Sequence, residues 1–185
     1  MNDMANRDEI YALYADVLTY PMRLPTTAID KLKTLLSTHT NDVKTGPNAF
    51  SSFIHDCPCS RLQEIYTSTF DLQVVCFPYV GYQLFGESYK RGTFMVKILE
   101  FYKQHRFDFD KKELPDHLAV MLRFIGQLTD AELLFNLLNE CMIPALEKML
   151  KNFTSTANPY LALLQSLLGF MRLHRSASVF AATLS

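Results

Sequence analysis

Four cysteines, five histidines and a few closely spaced carboxylates are the residues through which this chain could do chemistry. Cys57 and Cys59 flank Pro58, with His55 just upstream. A zinc site of this kind needs a second Cys or His pair at fixed spacing, and none follows. The cysteines, Cys76 and Cys141 included, therefore read as reduced structural thiols. Glu113 and His117 have the spacing of one helix face, but Pro115 between them puts Glu113 outside the helix. An acidic flank at a helix start is the simpler reading, because negative charge suits that end of the dipole. Asp108 and Asp110 read as a solvated loop. There is no phosphate-cradling glycine loop, no G-x-S-x-G elbow and no H-E-x-x-H helix. The sequence predicts no catalytic residues and no metal site, so the protein is expected not to be an enzyme.

Composition narrows the classes further. The 185 residues carry 18 basic and 19 acidic side chains, net −1, which argues against a nucleic-acid binder. Hydrophobic residues make up 49%, enough for a packed core. Gly 6 and Pro 8 leave little room for a turn-rich β architecture. Met1–Asp8 has no apolar run of the secretory kind. The longest apolar stretch, Tyr160–Met171, falls short of the roughly 20 residues that a membrane span requires. A cytoplasmic chain forming one domain over residues 1–185, without direct membrane insertion, is expected.

The elements follow from helical periodicity. Ile10, Leu13, Tyr14, Val17 and Leu18 form one apolar face, stopped by Pro21. Pro25 opens a second helix burying Ile29, Leu32, Leu35 and Leu36. Thr38–Asn48, which holds Gly46-Pro47, reads as a loop, followed by helices at Ala49–Asp56 and from Ser60 to Thr69. Asp71–Glu87 is apolar and aromatic without helical period: a strand-like buried loop, or a surface for another chain. Ser88 caps a helix to His105 whose apolar face is Met95, Ile98, Leu99 and Tyr102. After a charged linker, Pro115 starts a helix carrying Leu118, Met121, Leu122 and Ile125. Thr129 with Glu132 forms a capping box for the next, which Pro144 should kink or break. Asn158-Pro159 opens the last, with fraying expected beyond His174. About eight helices make an all-α, single-domain bundle.

Several segments resemble the NarJ/TorD-type redox-enzyme maturation chaperones, in order and spacing. They are Leu18-Thr-Tyr-Pro21, Glu64–Asp71, Gly86-Glu-Ser-Tyr-Lys-Arg-Gly92, and Leu99–His105 followed by Glu113-Leu-Pro-Asp-His-Leu118. The hexapeptide is the most specific, and the likeness spans about residues 10–130. The nearest branch is the nitrate reductase assembly chaperones, or delta subunits. The resemblance implies a TorD-like all-α fold without catalysis. It implies binding to the unfinished catalytic subunit of a molybdenum oxidoreductase, commonly through that subunit's N-terminal peptide, until molybdopterin is inserted. The cofactor then belongs to the partner, and none is permanently bound here. Two departures stand out. Met121 and Arg123 occupy positions that are glutamates in many relatives, and there is no Trp. Both point to a recognised segment more amphipathic than doubly basic.

A peptide groove would place apolar anchors beside a few polar groups that fix direction. Phe77, Tyr79, Tyr82 and Phe85 are the expected anchors. Pro115, Asp116 and His117 form the polar turn, with Asp116 as acceptor and His117 as a donor set by protonation. Glu87 and Tyr89 complete the set, and Arg91 is expected either there or in a surface ion pair. The competing readings are an accessory subunit that stays in the mature reductase, and a metal- or ligand-binding helical sensor using His55, Cys57 and Cys59. Monomer and dimer are both compatible with the pattern.

Overall fold

The computed structural model describes residues 6–71 and 76–183, with side chains to Arg175. Val74 and Val75, counted in the aromatic-rich stretch, lie outside the described residues. The fold is all-α. In chain order the helices are α1 (Arg7–Val17), α2 (Thr26–Leu36), α3 (Asn41–His55), α4 (Cys59–Phe70), α5 (Val80–Phe85) and α6 (Tyr89–Gln104). They continue with α7 (Leu118–Gln127), α8 (Ala131–Leu137), α9 (Ile143–Lys151) and α10 (Pro159–Thr183). A π turn, Leu138–Met142, joins α8 to α9.

The two most extensive pairings are α10 along α3 and α1 along α7, with α2 lying on both α1 and α3. α7 is apolar nearly all round: Leu118–Leu122, Phe124 and Ile125 are buried. Each fully buried Leu or Ile contributes about 1.5–3 kcal/mol relative to exposure, so this helix anchors whatever is attached to its N-terminus. α5 packs on α9 and on α6, and α6 lies at the margin.

Thr38–Asn48 is not a loop: α3 starts at Asn41 and continues through Gly46 and Pro47. Proline has no N–H, so the carbonyl of Val43, one turn back, loses its helical donor. The Ser166 hydroxyl of α10 donates to that carbonyl, and it also hydrogen-bonds the Tyr14 hydroxyl of α1. At Gly46 a side chain would collide with the Ala162 carbonyl, so only glycine lets α3 and α10 approach so closely. Gly-Pro is thus a packing device here.

Other expectations shift similarly. Asp71–Glu87 contains α5 and not only extended chain. Pro144 is accommodated in the first turn of α9 by the π turn, where the Ile143 N–H reaches back to the Leu138 carbonyl. The N-cap before α8 is Asp130, which accepts the Leu133 N–H, and not Thr129. α10 runs on to Thr183, past the expected fraying point. Among the described residues ten helices appear where about eight were expected: α5 lies within an apparent loop and the π turn divides the helix expected after Thr129 into α8 and α9, whereas the Thr38–Asn48 stretch only lengthens α3.

Candidate client-binding site

α7 begins at Leu118, three residues after Pro115, because Pro115 and Asp116 lie in a turn and His117 is held in extended conformation. An isolated antiparallel bridge pairs Tyr79 with His117. The Val80 N–H donates to the Asp116 carbonyl (2.8 Å) and the Leu118 N–H to the Pro78 carbonyl (2.7 Å). His117 is then the N-cap of α7, and its Nδ1 accepts the Ala119 N–H (3.2 Å).

The hexapeptide can be read position by position. Glu113 accepts the Tyr79 hydroxyl (3.2 Å) and the Leu114 N–H (2.9 Å) through Oε1. The Pro115 carbonyl accepts the Tyr102 hydroxyl (2.8 Å). Asp116 has 0% exposure, and both its carboxylate oxygens accept from Arg91: Nε at 2.8 Å and Nη2 at 3.2 Å. The Arg91 guanidinium also sits 5.1 Å from the Tyr79 ring and 5.8 Å from the Tyr82 ring. Gly81 makes room for the pair, since a side chain there would come within 2.7 Å of the Asp116 carboxylate.

Charges are set accordingly. The hydrogen bond to Asp116 raises the Arg91 pKa above its ordinary value. Burial, and then the Glu113 charge, push the Tyr79 phenol up to about 12, which keeps it a donor. Burial lowers the His117 pKa, opposed by Glu113 and Asp116 and assisted by Arg123. Neutral His117 fits the geometry: Nδ1 must stay unprotonated to cap α7, and Nε2 faces Glu113 at 3.9 Å.

His117 borders a cleft of about 510 Å³, with Phe107, Phe109, Glu113, Val120 and Arg123 among its walls. Asp108, Asp110 and Lys112 stand at its rim. A second cleft of about 630 Å³ shares Thr19 and Arg123 with it and continues past Tyr20 and Met22 to Arg23 and Lys31. Arg123 is held at the junction by Asp16, at 2.7 Å.

The expected residues are therefore divided. His117 and Glu113 meet at the cleft, with Tyr79 over the His117 ring at 5.3 Å. Asp116 is not a free acceptor: it is buried and occupied by Arg91, so it acts on the cleft through the backbone bridge. Arg91 is correspondingly not in a surface ion pair. Phe77 packs on Tyr82 and Phe85 on Phe94, on the α5–α6 side, while Glu87 and Tyr89 are exposed at the turn between those helices. Phe107 and Phe109 were missed within the apparent linker. Their signal was the alternation Phe107-Asp-Phe109-Asp, which turns both rings inward onto Tyr102 and both acids outward.

Away from the cleft, the Cys59 thiol donates to the Pro21 carbonyl (3.6 Å), Cys57 is buried and His55 is exposed. Among the described residues no three His, Cys, Asp or Glu side chains are arranged to hold a metal ion. No described helix is long and apolar enough to cross a membrane.

Residues 33–164 match the family described as nitrate reductase delta subunit, well over half of the chain. The chain belongs to that family. It is 45% identical over 47 residues to the nitrate reductase molybdenum cofactor assembly chaperone NarJ of Escherichia coli K12, and equally to that of strain O157:H7. Those matches cover 25% of this chain but only 20% of each relative. A solved redox enzyme maturation protein from Archaeoglobus fulgidus shares the fold, at TM-score 0.57 and 21% identity, over 92% of this chain and 91% of that one. The delta-subunit family thus accounts for the all-α, TorD-like architecture.

Arg106 shapes the turn that leaves α6. It follows α6 at φ 53°, the left-handed conformation that a helix C-terminus commonly gives to glycine. Its N–H reaches the Lys103 carbonyl and the next N–H, of Phe107, reaches the Tyr102 carbonyl. That turn aims Phe107 into the cleft.

Proposed function

We propose that this chain is an assembly chaperone for a molybdenum oxidoreductase of the nitrate reductase type. It binds the N-terminal segment of the unfinished catalytic subunit in the cleft beside His117. It keeps that subunit available while molybdopterin is inserted, and it performs no catalysis itself. The reading places this work in the cytoplasm and treats residues 1–185 as one functional unit.

The observation that carries the reading is the position of Glu113–Leu118. In a member of the delta-subunit family, this segment both walls the cleft and ties it to α5 through the Tyr79–His117 bridge and to α6 through the Arg91–Asp116 pair. Cleft size supports a short segment as ligand. Sites of about 300–1,000 Å³ take a few side chains, not a folded domain. The two adjoining clefts supply a track with apolar walls at Phe107, Phe109 and Val120. Carboxylates border one end and Arg23 and Lys31 the other. Arg123 in the middle disfavours a ligand with paired basic residues there, which supports an amphipathic segment. Asp116 and Arg91 serve as positioning residues that hold His117. Tyr79 reaches the cleft through Glu113, while Phe77, Tyr82 and Phe85 support the Arg91 side.

Calorimetry with the N-terminal peptide of the co-expressed catalytic subunit tests the reading. Glu113→Ala with His117→Ala is expected to weaken binding at least about tenfold, roughly 1.4 kcal/mol. Unchanged affinity, with the circular dichroism of the native chain retained, would remove the cleft from the proposal.

A further inference from the structure

The two clefts beside α7 carry opposite charge, and the joint between them is neutral. The His117 cleft is bordered by Asp108, Asp110 and Glu113 against Lys112. His117 itself counts as neutral, because its Nδ1 accepts a hydrogen bond to cap α7. The second cleft is bordered by Arg23 and Lys31, and its one acid is Asp16. Asp16 is already engaged: it holds Arg123 at 2.7 Å, and Arg123 walls both clefts. That pair cancels, which leaves two net negative charges at one end of the track and two positive charges at the other. Glu9 and Asp30 lie in a separate hollow that Lys31 also borders, and Asp30 is paired with Lys33 at 3.6 Å.

The charges at the two ends are not used internally. Asp108, Asp110, Arg23 and Lys31 are exposed, and none forms an ion pair among the described residues. Asp108 and Asp110 each accept one backbone N–H, of Phe109 and of Lys112, through Oδ1. Between the ends the walls are apolar, at Phe107, Phe109 and Val120. Charges bordering such a trough act on a ligand more strongly than charges on an open surface. From His117 to Arg123 the rise along α7 is about 9 Å, so a ligand that meets both ends is several residues long. We infer that this track sets the direction of the client segment. The α-amino group and a neighbouring basic side chain lie against Asp108, Asp110 and Glu113, and a later acidic side chain lies against Arg23 and Lys31. A segment bound as a helix would also place the positive end of its dipole at the carboxylates. The opposite order would bring like charges together at both ends. This inference rests on the proposed client cleft and adds to it the order of charges along the segment.

The test uses the full chain and two labelled amphipathic peptides of about 15 residues, alike in their apolar residues and with free amino and amidated carboxyl ends. One has lysines near its amino end and glutamates near its carboxyl end. The other has lysines at both ends. Fluorescence anisotropy is expected to show the first binding at least about tenfold more tightly, a preference that shrinks as salt rises from about 20 to 200 mM. Arg23→Glu with Lys31→Glu alters only exposed side chains and should reverse the preference. Glu113→Ala with His117→Ala should weaken both peptides. A photo-cross-linker at the amino end of the first peptide should label residues 107–113, and one at its carboxyl end residues 20–31, read by mass spectrometry of the digest. Equal binding of the two peptides, binding of neither, a preference unchanged by the Arg23 and Lys31 variant, or exchanged cross-links overturns the inference. Where Glu113→Ala with His117→Ala still weakens binding, such a result removes the charge order and leaves the client cleft standing. Binding indifferent to that variant removes both.

Discussion

Removing Arg91 should destabilise the protein more than removing its partner, although both make the same ion pair. Asp116 is completely buried, and the two hydrogen bonds to its carboxylate both come from Arg91. Arg91→Leu leaves that carboxylate in an apolar pocket without a donor, a situation that costs about 3–5 kcal/mol. Asp116→Leu strands a guanidinium instead. The Arg91 side chain is 18% exposed and rests on Tyr79 and Tyr82, so its head can turn to water with those contacts kept. About 1–3 kcal/mol is expected there. The double variant should cost less than Arg91→Leu alone, because no charge remains buried. Urea unfolding followed by far-ultraviolet circular dichroism measures all three, the chain having no Trp to report. Against a typical total of about 5–15 kcal/mol, the Arg91 effect is large. Equal costs for the two single variants, or additivity in the double, would refute the reasoning that one buried charge depends on the other.

Four further outcomes follow from the same geometry. His117 is buried neutral with its pKa lowered, so below about pH 6.5 the unfolded chain takes up a proton that the folded chain resists. Stability is therefore fully present above that pH and falls on acidification through the folded-state pKa, and His117→Asn should flatten the decline in unfolding midpoint. Gly81→Ala pushes a methyl group against the Asp116 carboxylate and Phe94, and should cost about 1–3 kcal/mol in urea unfolding. Arg106→Gly removes a side chain from a left-handed position and should raise stability by about 1 kcal/mol, read from the same titration. Burial pushes the Cys76 thiol up to about 12 and the Cys141 thiol up to about 11. Both should resist iodoacetamide near pH 8 in the native chain and react in urea, as mass spectrometry of the digest will show.

Periodicity located the long helices, since α1, α2, α7 and α10 each bury a face that repeats every three or four residues. It failed where proline was read by local rule. Pro47 looks like a breaker because the donor that replaces its N–H comes from Ser166, more than a hundred residues later. Pro115 looks like a helix start because the bridge to Tyr79 that delays α7 is equally non-local. The hexapeptide was visible as a pattern, but its division of labour was not. Nothing in Asp116-His117 says that one side chain turns to Arg91 and the other to a cleft. Leu99 was assigned to the apolar face of α6, yet it is among the exposed residues there. A helix with two apolar stripes does not announce which one is inward.

The Ser166 peg between α3 and α10 has a consequence for how the bundle is specified. α10 is rich in leucine, with Leu163, Leu164, Leu167 and Leu168 all buried, and leucines pack nearly as well one turn along. A slide of one turn would bring Ala162, Leu163, Gly169 or Phe170 opposite the open carbonyl of Val43. None of these carries a hydroxyl. The slipped arrangement would keep its oil but leave a buried carbonyl dry and the Tyr14 hydroxyl alone. The proline that deletes one hydrogen bond in α3 thereby gives a greasy interface a single permitted register.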